Sequence, residues 1–129
     1  MTDDWELEDQ FLDSYQRVIE KRKAKTSSLT DAEKFLYELG CLDCELRNGG
    51  ASQYFGNHSI ERWQQLKNAW SSEKIPSFSE TISHFDTALA SKKDAYEAML
   101  AASPSVEEFY ERDQAATKRE LQKWLKAKP

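Results

Sequence analysis

The sequence predicts an all-α fold, a single domain over residues 1–129 with five main helices and one short helix. Along most of the chain, apolar residues recur at intervals of three and four, the spacing of one face of an α-helix. The chain has only four glycines and three prolines, too few turn residues for a fold of many short strands. At three boundaries a Ser or Thr is followed three residues later by a Glu, a pattern typical of helix N-termini.

The first helix is predicted to run from about Asp3 to about Lys25. Its apolar stripe consists of five residues at helical spacing: Phe11, Leu12, Tyr15, Val18 and Ile19. Carboxylates are concentrated in its first half and basic residues in its last turn, an arrangement that complements the helix dipole. The polar segment 26–28 follows and is predicted to be a loop.

The second helix begins at a predicted capping box, in which the Thr30 hydroxyl and the Glu33 carboxylate each bind a backbone N–H. Its apolar residues recur at i, i+4, i+7 and i+11: Phe35, Leu39, Leu42 and Leu46. The helix is predicted to end at about Arg47, because an Asn-Gly-Gly sequence follows at 48–50. A glycine supplies the left-handed backbone that commonly ends a helix.

A short helix is predicted over Ala51–Phe55, directly after this turn. The fourth helix then starts at a cap supplied by Asn57 or Ser59. It contains four apolar residues at helical spacing: Ile60, Trp63, Leu66 and Trp70. The polar segment that starts at residue 71 and leads to Pro76 ends it.

A single long helix is predicted from a second capping box, Ser77 with Glu80, to about Ala102. The polar segment 91–93 is a place where it could bend. Its apolar residues keep helical phase throughout: Phe78, Ile82, Phe85, Leu89, Tyr96, Met99 and Leu100.

The last helix is predicted to start at a third capping box, Ser105 with Glu108. Apolar residues lie near its two ends: Val106, Phe109 and Tyr110 at the start, and Leu121, Trp124 and Leu125 at the end. Its middle, residues 113–120, has only two alanines as apolar residues, so we expect it to pack loosely or to lie at the surface.

Charge and hydropathy limit the function. The chain has 18 basic and 23 acidic residues, a net charge of −5. An acidic chain is a poor direct ligand for nucleic acid, whereas a basic protein surface is a suitable partner. No apolar run reaches the length of a membrane span, and the N-terminus lacks the basic-then-apolar pattern of a signal peptide. We therefore expect no membrane association and a cytoplasmic location.

The sequence predicts no catalytic or metal site. Cys41 and Cys44 form a Cys-x-x-Cys in the middle of a helix, whereas redox motifs of this spacing lie at helix N-termini. His58 and His84 are too far apart in sequence to form the histidine pair of a zinc finger. The chain has no recognisable nucleophile motif or phosphate-binding loop. We expect no enzymatic activity, no cofactor and no metal.

The segment around the Asn-Gly-Gly turn carries a distinctive motif. A helical Glu precedes the turn, and a Gln, two aromatic residues and an Asn follow it: Glu45, Asn48, Gly49, Gly50, Gln53, Tyr54, Phe55 and Asn57. This segment resembles the signature of the bacterial DNA-mimic protein family, small helical proteins most of which have no assigned function. The resemblance implies a helical fold and, as a mode of action, an acidic helical surface that occupies the DNA site of a regulator.

The polar residues of this motif have two interpretations. As a ligand pocket, the turn would gather four polar side chains, those of Glu45, Asn48, Gln53 and Asn57. In that case Glu45 would act as a general base or as a cation ligand. As a structural element, Glu45 would be largely buried and accept hydrogen bonds around the turn, while Asn57 caps the next helix. The structural interpretation is favoured, because buried backbone donors freed by a turn must be paired somewhere.

Two acidic clusters near helix N-termini are candidates for partner binding. Their residues are Glu6, Asp9 and Asp13 in the first helix and Glu107, Glu108 and Glu111 in the last. Spaced surface carboxylates can imitate DNA phosphates, but a carboxylate at a helix N-terminus also stabilises the helix by about 0.3–1 kcal/mol. In addition, Asp13 and Arg17 have the i, i+4 spacing of an intrahelical ion pair.

The predicted function is non-catalytic protein binding, in which the chain blocks a partner that has a basic surface. The partner is either a DNA-binding regulator or a toxin, in which case the chain is an immunity protein. Small-molecule binding at the turn is a third hypothesis, from a different class. The sequence predicts neither the identity of the partner nor the oligomeric state.

Overall fold

The computed structural model describes residues 4–24, 29–58, 60–71, 75–91 and 93–127. Within these ranges the chain forms seven α-helices, one 3-10 turn and no β-strand. The helices are α1 (Asp4–Ala24), α2 (Asp31–Gly49), α3 (Ala51–Asn57), α4 (Ile60–Ser71), α5 (Ser79–Ala90), α6 (Ala95–Ala102) and α7 (Ser105–Ala127), with the 3-10 turn at Pro76–Phe78. The all-α prediction is confirmed.

Helix α2 lies at the centre of the fold, in contact with α1, α3, α4 and α7. One hydrophobic core joins all seven helices. Its larger members include Phe11 of α1, Phe35 and Leu39 of α2, Tyr54 of α3, Trp63 and Leu66 of α4, Phe85 of α5, Met99 of α6, and Tyr110 and Leu121 of α7. Burial of a large apolar side chain contributes about 1.5–3 kcal/mol, so this core makes the main favourable contribution to the stability of the fold.

Helices α1 and α2 approach each other closely at Gly40. A Cβ atom at this position would lie 2.3 Å from the Tyr15 ring, so the contact requires glycine. On α1 the buried stripe is formed by Leu7, Phe11 and Val18. Leu12, which the sequence placed in the stripe, is about half exposed, because it lies one residue out of phase with the other three.

The start of α2 confirms the first predicted capping box. The N–H of Glu33 donates to the Thr30 hydroxyl at 3.2 Å, and the N–H of Thr30 donates to the Glu33 carboxylate at 2.9 Å. The predicted ends of the first helix, Asp3 and Lys25, lie outside the described residues. The same holds for the loop 26–28 and for Ser59.

The prediction of one long helix over residues 77–102 is wrong, because α5 and α6 are separate helices. The N–H and the hydroxyl of Ser91 both donate to the carbonyl of Ala88, which ends α5. The Asp94 carboxylate accepts a hydrogen bond from the N–H of Glu97 and caps α6. Local capping interactions therefore outweigh the apolar phase that the two helices share.

The second and third predicted capping boxes are also wrong. Ser77 lies in the 3-10 turn, and its hydroxyl donates to the Glu120 carboxylate of α7 at 2.8 Å, so it does not cap α5. Ser105 is already the first residue of α7, and the N–H of Glu108 donates to the carbonyl of Pro104. Neither serine occupies the N-cap position that a capping box needs.

The middle of α7 is anchored in the protein rather than loosely packed. Thr117 and Lys118 have no exposed surface. The Thr117 hydroxyl donates to the carbonyl of Asp113 at 2.9 Å, and the Lys118 amine is bound by carboxylates of α1 and α2. The expectation of a surface segment is wrong here, because ion pairs replace the missing apolar contacts.

Candidate functional site

The turn between α2 and α3 depends on a single glycine. Gly50 has φ 89° and ψ −177°, a backbone region that essentially only glycine adopts. Its N–H donates to the carbonyls of Glu45 and Leu46, at 3.1 and 3.2 Å, and so closes the end of α2. Gly50 also directly precedes α3, and without a side chain it cannot cap that helix.

The cap of α3 comes from α7 instead. The N–H of Ala51, the first residue of α3, donates to Oε2 of Glu107 at 2.8 Å. The Ser103 hydroxyl donates to the same carboxylate, at 2.9 and 3.0 Å from its two oxygens. Glu107 was a candidate for the acidic partner surface, but in the structure it is partly buried and satisfies a backbone donor at the turn.

Glu45 and Asn57 meet across the turn. The side-chain amide of Asn57 donates to the Glu45 carboxylate at 2.7 Å. Glu45 is only partly buried, whereas the structural interpretation expected a largely buried group. Asn57 is the last residue of α3, and its side chain ties α3 to α2 rather than capping α4, as the sequence suggested.

The other two polar residues of the motif make separate contacts. The Asn48 amide lies 3.6 Å from the Cys44 sulfur on the exposed surface of α2. Gln53 covers Gly49, where an added Cβ atom would meet the end of the Gln53 side chain. Of the four polar side chains, the hydrogen bonds therefore join only Glu45 and Asn57.

The two aromatic residues of the motif are core residues. Tyr54 and Phe55 are buried and pack edge to face, with ring centroids 4.9 Å apart. Phe55 also packs against Trp63 of α4 at 6.0 Å. The Tyr54 hydroxyl is buried with no hydrogen-bond partner in the described part of the chain, and burial raises the pKa of this phenol. Helix α3 packs against α2 and α6, and the motif adds contacts from α3 to α4 and α7.

The structure divides the carboxylates of the two acidic segments, residues 6–13 and 107–113, into bound and free groups. Three of them are bound within the protein: Glu8 by Lys118, Glu107 by the N–H of Ala51, and Asp113 by the Thr81 hydroxyl. Four others in these segments are exposed and have no ion-pair partner among the described residues: Glu6, Asp9, Glu108 and Glu111. Asp13 is exposed and pairs with Arg17, as its spacing predicted. A pair this exposed contributes little to stability and leaves the carboxylate accessible.

A buried ionic network fixes α1 against α2 and α7. The Lys118 amine, with no exposed surface, donates to Glu8 of α1 at 2.8 Å and to Asp43 of α2 at 3.2 Å. The Tyr110 hydroxyl donates to Asp43 at 2.5 Å, and Arg47 donates to its other oxygen at 2.9 Å. Burial, with the Asp43 charge as a second cause, raises the pKa of Tyr110 well above its usual value. Every group in the network is paired, as burial of charge requires.

Sequence reasoning missed this network. Tyr110, Thr117 and Leu121 are spaced i, i+7 and i+11, so their helical phase could have shown that Thr117 faces inward. It could not have shown which carboxylates bind the neighbouring Lys118, because Glu8 and Asp43 are 110 and 75 residues away in sequence.

The network determines which face of α1 is exposed. Leu7 and Phe11 are buried against the core, and Glu6, Asp9 and Asp13 are exposed. These three residues span about 10 Å of helix, a length in which one DNA strand carries about three phosphates. We call the three residues the α1 acidic ridge. Glu108 and Glu111 form a second exposed group, which we call the α7 acidic pair.

A second polar region lies between α2 and α4. Glu38 is buried, and the Nε–H of Arg62 donates a bifurcated hydrogen bond to its two carboxylate oxygens, at 2.8 and 3.1 Å. Burial raises the pKa of the Glu38 carboxyl, an effect that the Arg62 charge only partly offsets. Arg62 also approaches the Cys41 sulfur at 3.6 Å. Cys41 and Cys44 are both free thiols.

Three surface clefts of about 400–590 Å³ lie among the described residues, and none of them is lined by Glu45, Asn48 or Asn57. Within the described ranges, no group of three or more His, Cys, Asp or Glu side chains is arranged to hold a metal ion. Among the same residues, no helix is both long enough and apolar enough to cross a membrane.

Comparison with known proteins gives one match. A family model described as DMP19-like protein matches residues 27–128, most of the chain. The chain belongs to the DMP19-like protein family. This confirms the family resemblance that the turn motif indicated. No curated protein and no solved structure matches the chain.

The extent of the DMP19-like match separates the two acidic groups. The matched residues include the whole turn motif, its Glu107 cap and the α7 acidic pair. The α1 acidic ridge precedes residue 27 and lies outside the match. The family match therefore gives no support to a role for the α1 acidic ridge. The turn and the α7 acidic pair, in contrast, belong to the part of the chain that matches the DMP19-like family.

Proposed function

We propose that this chain is a non-catalytic regulator that binds the DNA-contacting surface of a DNA-binding protein and blocks it. The observation that carries the proposal is that α1 and α7 each present two neighbouring exposed carboxylates with no ion-pair partner among the described residues: Glu6 and Asp9 on α1, and Glu108 and Glu111 on α7. Membership of the DMP19-like family supports the same mode of action.

The two acidic groups lie on helices that touch. Glu8 of α1 binds Lys118 of α7, so the α1 ridge begins beside this crossing point. Glu111 lies seven residues before Lys118, about 10 Å along α7, and Glu108 lies one turn further. One partner surface of ordinary size is large enough to contact both groups.

The charge of these groups favours a basic protein partner. Clustered like charges repel each other in the free protein, and a surface rich in Lys and Arg offsets that repulsion on binding. Lys and Arg that contact DNA phosphates form such a surface. Charge complementarity of this kind acts mainly by accelerating association and by excluding wrong partners.

The turn motif has a structural role in this proposal. Gly50 makes the reversal, Glu107 caps α3, and Asn57 binds Glu45 across the turn. Tyr54 and Phe55 pack in the core. These contacts account for the motif residues without a ligand, so they do not support small-molecule binding at this turn.

Affinity capture from the native host, followed by a competition assay, tests the proposal. We expect the captured partner to be a DNA-binding protein, and we expect this chain to displace fluorescently labelled DNA from it. The displacement should follow the concentration of the chain and become weaker as salt is raised. A complex that still binds DNA normally would contradict the proposal, and a captured toxin would support an immunity function instead.

A further inference from the structure

A cleft of about 470 Å³ lies between α2 and α4, beside the end of α1. Its size falls within the range of small-molecule sites in proteins. The charged residues at the cleft are Arg22, Asp31, Lys34, Glu38 and Arg62, and its apolar lining includes Leu29 and Ala69. It is separate from the acidic ridge and from the Asn-Gly-Gly turn.

Two arginines converge on one aromatic ring in this cleft. The guanidinium carbon of Arg22 lies 4.5 Å from the centre of the Tyr37 ring, and that of Arg62 lies 5.4 Å from it. Arg22 also donates to the Tyr37 hydroxyl at 3.1 Å. The two cations are therefore within about 10 Å of each other, close enough to repel at physiological salt.

The carboxylates at the cleft do not fully compensate its cations. Glu38, the buried carboxylate, is bound by Nε of Arg62. The other cations are Arg22 and Lys34, and Lys34 has no carboxylate partner among the described residues. Asp31, at the exposed start of α2, is the only other carboxylate in the lining. The cleft is thus locally cationic in a chain of net charge −5.

We propose that this cleft binds a small organic anion, a molecule that carries a carboxylate or phosphate group. Guanidinium groups match the planar or tetrahedral oxygens of such anions. In the bound state the anion lies between Arg22 and Lys34, in front of the Arg62–Glu38 pair. The uncharged part of the molecule contacts Leu29 and Ala69. A cationic cleft also concentrates anions locally, even when the whole protein is acidic.

Titration with two probes, citrate and inorganic phosphate, tests this site. Chemical shifts of the Arg22 and Arg62 side-chain N–H groups and of Gln65 are followed by NMR, with chloride reduced so that ionic strength stays constant. We expect at least one probe to cause saturable shifts at these groups. Saturation by citrate alone indicates a carboxylate ligand, and saturation by phosphate alone indicates a phosphate ligand.

Three variants and one control distinguish a site from a general charge effect. Arg22→Gln and Lys34→Gln should each raise the dissociation constant of the probe about tenfold, and Asp31→Asn should lower it. All three side chains are exposed, so these variants should fold normally, whereas Arg62→Gln would break a buried ion pair. The control is Lys23→Gln, an exposed cation of α1 that does not line the cleft.

Two results would overturn the proposal. The first is the absence of saturable shifts with either probe. The second is an equal loss of affinity in Lys23→Gln and Arg22→Gln, which would mean that the anion responds only to the total charge. The titration needs no protein partner, so its outcome is independent of the function proposed for the acidic surface.

Discussion

The N–H of Ala51 donates to the carboxylate of Glu107, which lies 56 residues later in the chain. This hydrogen bond joins the start of α3 to the first turn of α7. It serves a helix whose N-cap residue, Gly50, has no side chain with which to cap it. The backbone conformation at the turn and the carboxylate on α7 therefore work as one unit, and both can be tested by single substitutions.

Replacing Glu107 with Ala should lower the free energy of unfolding by about 1–2 kcal/mol, the usual effect of losing a helix cap. The matched control is Glu108→Ala. It removes a neighbouring charge from the same helix turn, but Glu108 is exposed and has no side-chain partner in the described structure. Urea denaturation measures both. Equal decreases in the free energy of unfolding of the two variants would show that the Glu107 carboxylate acts only through the helix dipole and not as a cap of α3.

Replacing Gly50 with Ala should cost on the order of 1–3 kcal/mol, because its backbone conformation is strained for any residue with a Cβ atom. The new Cβ would also lie 2.9 Å from the Glu107 carboxylate. The control is Gly49→Ala, at a helical position where the added atom meets the Gln53 side chain, chiefly its movable end. Thermal melting should show a clear loss for Gly50→Ala and a small change for Gly49→Ala. A Gly50→Ala protein as stable as wild type would show that the backbone at position 50 does not require glycine.

The sequence predicted well those features that depend on neighbouring residues. The Thr30–Glu33 box involves only four residues, and it forms as predicted. The helix stop at the Asn-Gly-Gly turn is likewise a local property of glycine. The break near Ser91 was missed, because the apolar pattern continues through it while the capping by Asp94 occupies only one turn.

Features that depend on distant residues could not be predicted. Glu107 and Glu108 are adjacent and chemically identical, yet one caps a distant helix and the other is exposed. Lys118 is surrounded in sequence by polar residues and looks like a surface residue, but it is fully buried. Only the packing of α1, α2 and α7 determines which charges become paired.

Replacing Lys118 with Met should destabilise the protein by about 3–5 kcal/mol, because Glu8 and Asp43 lose the buried cation that compensates them. Adding Asp43→Asn should restore part of the loss, since it removes a buried carboxylate that the half-exposed Arg47 would otherwise compensate together with Glu8. Chemical denaturation measures both variants. The control is Lys123→Met, at an exposed position of α7, which should change stability by less than about 0.5 kcal/mol. A Lys118→Met protein as stable as this control would contradict the network.

The capping box at α2 should make stability depend on pH in the acid range. Burial acts to raise the pKa of Glu33, but hydrogen bonds from Thr30 and Lys21 outweigh it and lower the pKa below its usual 4.5. The folded state then binds this proton less readily than the unfolded state. The stability from Glu33 is therefore complete above pH 4.5 and is lost as pH falls through the lowered folded pKa.

Comparison of wild type with Glu33→Gln measures this effect. The difference in unfolding free energy should be about 1 kcal/mol at neutral pH and should decrease steadily below pH 4.5. Glu20→Gln, at an exposed position of α1 with no ion-pair partner among the described residues, should show little difference at either pH. A difference in unfolding free energy between wild type and Glu33→Gln that stays constant down to pH 2 would contradict a lowered pKa of Glu33 in the folded state.

The last prediction concerns the acidic surface. Once a partner has been captured, the α1 ridge is neutralised by Glu6→Gln, Asp9→Asn and Asp13→Asn. If the ridge contacts a basic surface, affinity should fall about tenfold or more, mainly through slower association, and binding should weaken as salt is raised. Stopped-flow or surface plasmon resonance measurements separate the two rate constants. Helix-dipole matching alone instead predicts a slightly less stable protein that binds normally.

The matched control removes three exposed carboxylates from α2, α4 and α6: Asp31→Asn, Glu61→Gln and Glu97→Gln. It changes the net charge by the same amount, so any difference between the two triple variants reports position rather than total charge. Neutralising the α7 pair, Glu108→Gln with Glu111→Gln, tests the group inside the family match. Because α1 lies outside that match, an effect of the α7 pair alone would assign recognition to the part shared with the family. Equal losses of affinity in the two triple variants, with a proportionately smaller loss in the α7 double variant, would show that binding responds only to total charge, and would exclude a defined acidic recognition surface.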